Sequence, residues 1–223
     1  MSKRIKHVAA GLVATAAAGT AILATTVPAH ALSNYTPTAS GGAVTFTGSS
    51  VSFTDIEAGQ TLTCSTFNLS GTVTNNGVAR TFGSEGGQLG SLTSSGCTNP
   101  IAGATTVTPS GTWKVKVTGP EVVVSSPASQ KSPATLYDIN ADITAAGCTF
   151  DVGGSVAGSF NETDQKFTPN SGASGLTITT TPMGGPGYTI PNGGTCATLD
   201  VQLGDTISVG GYWTASGLTI TNS

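Results

Sequence analysis

Carboxylates are the main chemical resource of this chain. Glu121, Glu162, Asp164, Asp200 and Asp205 are of the type that works in pairs in glycoside hydrolysis, one acid and one carboxylate facing each other across a cleft. Their spacing singles out no two that must face each other, so solvated surface charge is the expected state. Asp138-Ile139-Asn140-Ala141-Asp142 opens like a calcium loop. Ile143 stands where that loop requires glycine, and Thr149 stands where it requires a bidentate glutamate. The polar face of a strand is therefore expected there, with no metal and no cofactor. The only histidines are His7 and His30, and both fall in a segment read below as a leader. A mature chain without imidazole has no Ser-His-Asp triad, no Cys-His dyad and no histidine-based zinc site. With the cysteines paired there is no thiol nucleophile either, and a non-enzymatic protein is expected.

Aromatic residues could bind instead. Trp113 shares a strand face with Val115 and Val117, which predicts a core position over a sugar-stacking platform. Tyr212 and Trp213 are adjacent, so in a strand they point to opposite faces and one of them is expected at the surface. Tyr212, together with Tyr188 in a Gly and Pro-rich stretch, is the candidate ligand contact. Lys114 and Lys116 could form isopeptide links, but lysines on a strand face ordinarily keep a sheet soluble. Thr177 to Thr181 carries a Thr-rich run only once, too little for an ice-binding array, and threonine suits strands in any case.

The elements that would position these residues lie after residue 31. Lys3, Arg4 and Lys6 precede an Ala-rich apolar stretch from Val8 to Val27, and Ala29-His30-Ala31 follows as a small-x-small cleavage site. This reads as a secretory signal peptide over residues 1–31. Three of the eight Lys and Arg leave with it, so five remain against eleven acids and the mature net charge is −6. Such a balance argues against nucleic acid and anionic membrane as partners, and no membrane insertion is expected once the leader is removed. An even cysteine count in an exported chain fits an oxidising, extracellular compartment.

One order of residues occurs twice: Asp55-Ile56, Cys64, Phe67, Cys97, Trp113, and then Asp138-Ile139, Cys148, Phe150, Cys196, Trp213. The step from second cysteine to tryptophan is 16 residues in one copy and 17 in the other. Internal duplication predicts two homologous halves, residues 32–126 and 134–223, either two domains or one fused sandwich. Four cysteines allow three connectivities, and the symmetry of the copies favours Cys64 with Cys97 and Cys148 with Cys196. Phe67 lies three residues beyond Cys64, whereas Phe150 lies two beyond Cys148. If both residues of each pair face inward, a β-bulge is required near Ser65 or Thr66.

Short alternating segments fill both halves. Val44 to Thr47 and Val51 to Thr54 predict a hairpin across Gly48-Ser49-Ser50, and Thr61 to Thr74 predicts a strand ending at the Asn76-Gly77 turn. Thr112 to Thr118, Tyr137 to Ile143, Cys148 to Phe160, Leu176 to Thr180, Cys196 to Leu203, Thr206 to Thr214 and Leu218 to Thr221 predict further strands. Val122 to Val124 reads as a strand covered on both faces, and Leu32 to Gly42 as a loose arm. Ser125 to Ala134 reads as a linker or edge loop. The sum is an all-β chain of two β-sandwich halves, immunoglobulin-like or jelly-roll-like.

Cysteine opening a strand at Cys64 to Val73, a second cysteine after a Gly and Thr-rich stretch, and a tryptophan strand beyond it resemble a group of actinobacterial exported proteins of unknown function. A fainter similarity links the chain to exported proteins described as activators of alkane oxidation. The resemblance implies an extracellular β-rich protein and carries over no catalytic residue. The expected function is a secreted structural or cell-surface interaction protein, with a carbohydrate- or hydrophobic-ligand-binding module as the alternative and a carboxylate-only glycosidase third. Its partners would be a surface glycan, a hydrophobic ligand or another surface protein.

Overall fold

A computed structural model describes residues 32–125, 128–180 and 195–222. Its strands are β1 (Asn34–Ala39), β2 (Ala43–Asp55), β3 (Gln60–Val73), β4 (Arg80–Thr81), β5 (Gly87–Asn99), β6 (Gly103–Ser110) and β7 (Trp113–Val117). They continue with β8 (Val122–Ser125), β9 (Ala128–Ala145), β10 (Cys148–Asn161), β11 (Lys166–Pro169), β12 (Ala173–Thr180), β13 (Thr206–Ala215) and β14 (Leu218–Asn222). One short helix, α1 (Thr195–Leu199), precedes β13.

Eight of these strands close into an antiparallel barrel in the order β10-β12-β13-β2-β3-β5-β6-β9, and β9 returns to β10. This corrects the expectation of two β-sandwich halves. Each half contributes a run of four neighbouring strands, β2-β3-β5-β6 and β9-β10-β12-β13, and the runs join edge to edge, β2 with β13 and β6 and β7 with β9, into one ring. Closure is the physical reason: β2, β3, β9 and β10 are 13, 14, 18 and 14 residues long. Joining such strands into a ring satisfies backbone groups that an open sheet would leave at its edges. β6 and β7 share the place between β5 and β9, and β12 and β11 share the place between β10 and β13. A small second sheet, β14-β1-β4, is not hydrogen-bonded into the ring but packs on its core.

The inward phase of the strands shifts midway along the barrel. In β3, Leu62 and Cys64 point in, then Phe67 and Leu69; in β9, Ala134 and Leu136 point in, then Ile139 and Ala141. The inward phase changes at Ser65 and Thr66 as expected, but the expected β-bulge is absent there, because neither ladder of β3 changes register across these residues. The β3–β5 register runs without slip from Cys64↔Cys97 to Ser70↔Ser91 and shifts only at Ser70/Gly71. β5 makes the matching turn at Gly96, whose φ is 59°. On the other side the β2–β3 ladder is interrupted between Val51↔Cys64 and Thr47↔Asn68. Two side chains fill that gap. The Trp213 indole N–H donates to the Phe67 carbonyl at 2.9 Å, and Asn68 Oδ1 accepts from the Gly48 N–H at 3.2 Å. Residue 48 must be glycine because a Cβ there would stand 2.3 Å from the Phe67 oxygen.

Phe67, Trp113 and Trp213 meet across the middle of the barrel, Phe67 tilted against Trp113 and edge-on to Trp213, with ring centroids 5.8 and 6.2 Å apart. Below this layer Phe46, Leu69, Leu136, Phe160 and Phe167 fill the interior, and Leu218 and Ile220 of β14 close that end. Several local expectations change. The segment read as a loose arm contains β1, whose Tyr35 is fully buried and donates its hydroxyl to the Ser84 carbonyl at 2.6 Å. The hairpin expected at Gly48-Ser49-Ser50 is the interrupted middle of one strand, β2. Cys196 to Leu203 begins as helix α1 and not as a strand. Val122 and Val123 are 55% and 71% exposed and are not covered on both faces. From Ala128 the expected linker is already strand β9.

Both expected disulfides are formed, Cys64–Cys97 and Cys148–Cys196. Their settings differ. The first joins directly opposed residues of β3 and β5, whereas the second ties the start of β10 to α1. Likewise Asp55 ends β2, whereas Asp138 lies within β9 with φ at 56°. Asp138 is in the extra residue pair where the β9–β10 register shifts between Gly154 and Val156. The aspartates thus fall on β2 and β9, the first cysteines on β3 and β10 and the tryptophans on β7 and β13, in the same strand order in each half, whereas the second cysteines lie on β5 and on α1.

Candidate ligand cavity

Above the aromatic layer the barrel is not filled. A cavity of about 60 Å³ lies among Ile139, Ile143, Val152, Leu176, Leu199 and Ile207, with Phe67 and Trp113 on its lining toward the middle of the barrel. Below the layer lie two smaller spaces, of about 30 and 40 Å³. By the measure in which one water needs about 10–15 Å³, the largest cavity takes about four to six water-sized volumes. An eight-stranded ring is just wide enough for side chains to fill it or for one small ligand. Here the small residues Ala141 and Ala145 project inward from β9 into the upper half, and the open volume adjoins them. α1 supplies Leu199 to the wall, followed by Val201, and the Cys148–Cys196 disulfide holds that helix on β10.

Asp55, Gln60, Asn99 and Thr105 are the polar residues of the lining. Asn99 is buried but fully engaged: its Oδ1 accepts from the N–H groups of Ile101 and Ala102 at 2.9 and 2.8 Å, and its Nδ2 donates to the Thr61 carbonyl at 3.1 Å. Asp55 is also buried. Its Oδ1 accepts from the Ala58 N–H at 3.0 Å, and the carboxyl is also hydrogen-bonded to that of Asp205. Burial pushes the Asp55 carboxyl up to about 6, and the charges of Asp205 and Glu57 act in the same direction against the Ala58 hydrogen bond. Asp205 is buried within hydrogen-bonding reach of Asp55, and burial raises its carboxyl as well.

The turn after β2 is stitched to the start of β13. Ile56 N–H donates to the Thr206 carbonyl at 3.0 Å, and Thr206 N–H donates to Glu57 Oε2 at 2.7 Å. That bond holds the exposed Glu57 carboxyl below the usual carboxylate range. Asp205 Oδ2 accepts from the Gln202 N–H at 2.7 Å. These links bring Asp55 and Asp205 together from opposite ends of the chain.

Of the residues singled out in the sequence, Tyr188 lies outside the described residues. Tyr212 is half-buried beside the inward-facing Trp213, with Lys166 Nζ 4.6 Å from its ring centroid, and it does not line the cavity. Trp113 and Trp213 are core residues, 2% and 1% exposed. Asp138 forms an ion pair with Lys114 at 2.9 Å. Asp142 faces Asp151 across β9 and β10, and the hydrogen bond between them raises the Asp142 carboxyl. Glu162 accepts from the Ile220 N–H at 3.0 Å, and burial, with the charge of Glu121, raises its carboxyl. Asp164 accepts from the Asn161 amide at 3.1 Å and Asp200 from the Gln202 amide at 2.9 Å. The residue that sequence reasoning passed over is Asp55. Its signal was available in the alternation Val51-Phe53-Asp55, which puts the carboxylate on the inward face of β2.

Fold and site together define an eight-stranded antiparallel β-barrel with an apolar cavity in one half and a buried carboxyl pair beside it. Comparison with protein-family models, curated proteins and solved structures finds no match to this chain.

Proposed function

We propose that this is a secreted, non-catalytic binding protein whose barrel takes a small hydrophobic ligand. One observation carries the reading: the upper half of the barrel holds an open volume of about 60 Å³ with predominantly aliphatic and aromatic walls. A cavity with mostly apolar walls offers dispersion contacts to an apolar guest and few hydrogen-bond partners to water. A sugar would need many polar groups, so the hydrophobic ligand is favoured over the carbohydrate. Two disulfides support an extracellular setting, and they suit a rigid scaffold that keeps a preformed cavity. The expected resemblance to actinobacterial exported proteins belongs to the same proposal.

Titration with n-pentane, followed by NMR of the Leu176, Ile139 and Ile207 methyl groups, tests it. Saturable shifts at these residues, and their loss when Ala141→Leu fills the space, are the expected result. Shifts that never saturate, or that centre on Leu136 below the aromatic layer, would overturn it.

A further inference from the structure

We infer that the end of the barrel opposite the cavity, where β14 closes it, holds a calcium ion between Glu121, Ser132, Glu162 and Asn222. Three oxygens there, Glu121 Oε1, Ser132 Oγ and Asn222 Oδ1, are sealed from solvent and have no hydrogen-bond partner. Buried polar atoms are ordinarily paired, so three together point to a ligand that engages them. Ser132 is the sharpest case, because it is fully buried. It continues the inward row of Ala134 and Leu136 on β9, next to the exposed Lys131, and its ladder partner on β10 is the inward Phe160.

The other three side chains reach the same place from separate strands. Val122 pairs with Lys131 and the Thr118 N–H donates to the Pro133 carbonyl at 2.8 Å, which brings Glu121 alongside Ser132. Glu162 is the next inward position of β10 after Phe160, and its N–H donates to the Gln130 carbonyl at 3.1 Å. Asn222 follows Leu218 and Ile220 on the buried face of β14, and its Nδ2 donates to Glu121 Oε2 at 3.4 Å. Glu162 Oε1 accepts from the Ile220 N–H at 3.0 Å, which leaves Oε2 for a ligand. The Glu162 carboxyl feels the charge of Glu121. Among the described residues the only ion pairs are those of Lys114, so no cationic side chain neutralises these two carboxylates.

Two carboxylates, an amide carbonyl and a hydroxyl are all hard oxygen donors. Calcium takes six to eight such ligands. The four side chains supply four, and solvent on the half-exposed side of Glu121 and Glu162 supplies the rest. No group of three or more His, Cys, Asp or Glu side chains occurs among the described residues, so the neutral oxygens are needed to complete the set. Zinc and copper favour imidazole or thiolate, and magnesium demands near-ideal octahedral geometry and dehydrates reluctantly. One buried water could engage the three unpaired oxygens, but it would leave two adjacent carboxylates without a counter-charge.

The test is a calcium chloride titration of the whole chain at neutral pH and fixed ionic strength, read by NMR of the Asn222 side-chain amide and the Ile220 backbone amide. Saturable shifts are expected with a Kd of about 10⁻⁴–10⁻³ M, the range of extracellular calcium modules. Glu121→Gln keeps the shape, removes the charge and should weaken binding about tenfold or more. Ser132→Ala deletes an unpaired buried hydroxyl, so the calcium-free fold should be no less stable, yet calcium should bind about threefold or more weakly. The Leu176 and Ile207 methyl groups at the cavity end should stay unmoved, which keeps this result separate from the pentane titration. No saturable shift up to about 10 mM calcium, as for a site that holds water alone, would overturn the inference. So would shifts centred on the exposed pair Asp142 and Asp151, or an affinity unchanged in either variant.

Discussion

Raising the pH from 4 to 7 is expected to weaken this fold, with Asp55 the main contributor. Its carboxyl titrates near 3.8 in an unperturbed setting and at about 6 in the folded chain, chiefly because it is buried. The folded state therefore holds the proton more tightly than the unfolded state. The resulting stability is fully present below about pH 3.8 and is lost as the pH rises through about 6. At about 1.4 kcal/mol per pH unit the gap corresponds to about 3 kcal/mol. For a chain of this size that is about 6–12 °C in Tm. Asp205 and Glu162, raised by burial, change stability in the same direction. Urea unfolding midpoints at pH 4, 5, 6 and 7 measure the effect in the wild type and in Asp55→Asn. The wild type should lose midpoint steadily over this range, and the variant should keep most of it. A midpoint that rises toward pH 7, or the same slope in both proteins, would refute the assignment of a buried, protonatable Asp55.

Trp213→Phe removes the indole donor that satisfies the Phe67 carbonyl inside the β2–β3 gap. A loss of about 1–3 kcal/mol is expected in urea unfolding, with more from the smaller ring. Gly48→Ala puts a methyl group 2.3 Å from that same carbonyl, and a comparable or larger loss should appear in the midpoint. The disulfides span 33 and 48 residues. Chain-entropy reasoning assigns each about 4 kcal/mol, so reduction should lower the Tm by many degrees in a thermal scan. Replacing Cys148 and Cys196 by serine should also weaken pentane binding, because α1 and its Leu199 lose their tether to β10. The Cys64 and Cys97 double replacement should alter stability with a smaller effect on binding.

Much of the secondary structure was legible. Lys114 and Lys116 alternating with Trp113, Val115 and Val117 gave β7 its two faces, and the cysteine order gave both bridges. Local alternation marks a strand whatever it pairs with, because side-chain direction is set within the strand itself. Pairing is long-range, and there the reading failed. Nothing local says that β2 lies against β13 or that β9 closes on β10. The doubled residue order suggested two equivalent halves, yet Cys97 sits on a strand and Cys196 on a helix. Gly48-Ser49-Ser50 has turn chemistry, but a close-packed carbonyl and not a reversal required the glycine. The carboxyl pair was hidden for the same reason: Glu57 and Thr206 meet across 149 residues of sequence. Only the inward phase of Asp55 pointed to it.

A crystal pressurised with xenon tests the cavity most directly. Xenon density among Ile139, Leu176 and Ile207, lost in Ala141→Leu, is the predicted result. Side chains closed over that volume with no xenon between them would contradict a barrel preformed for an apolar guest.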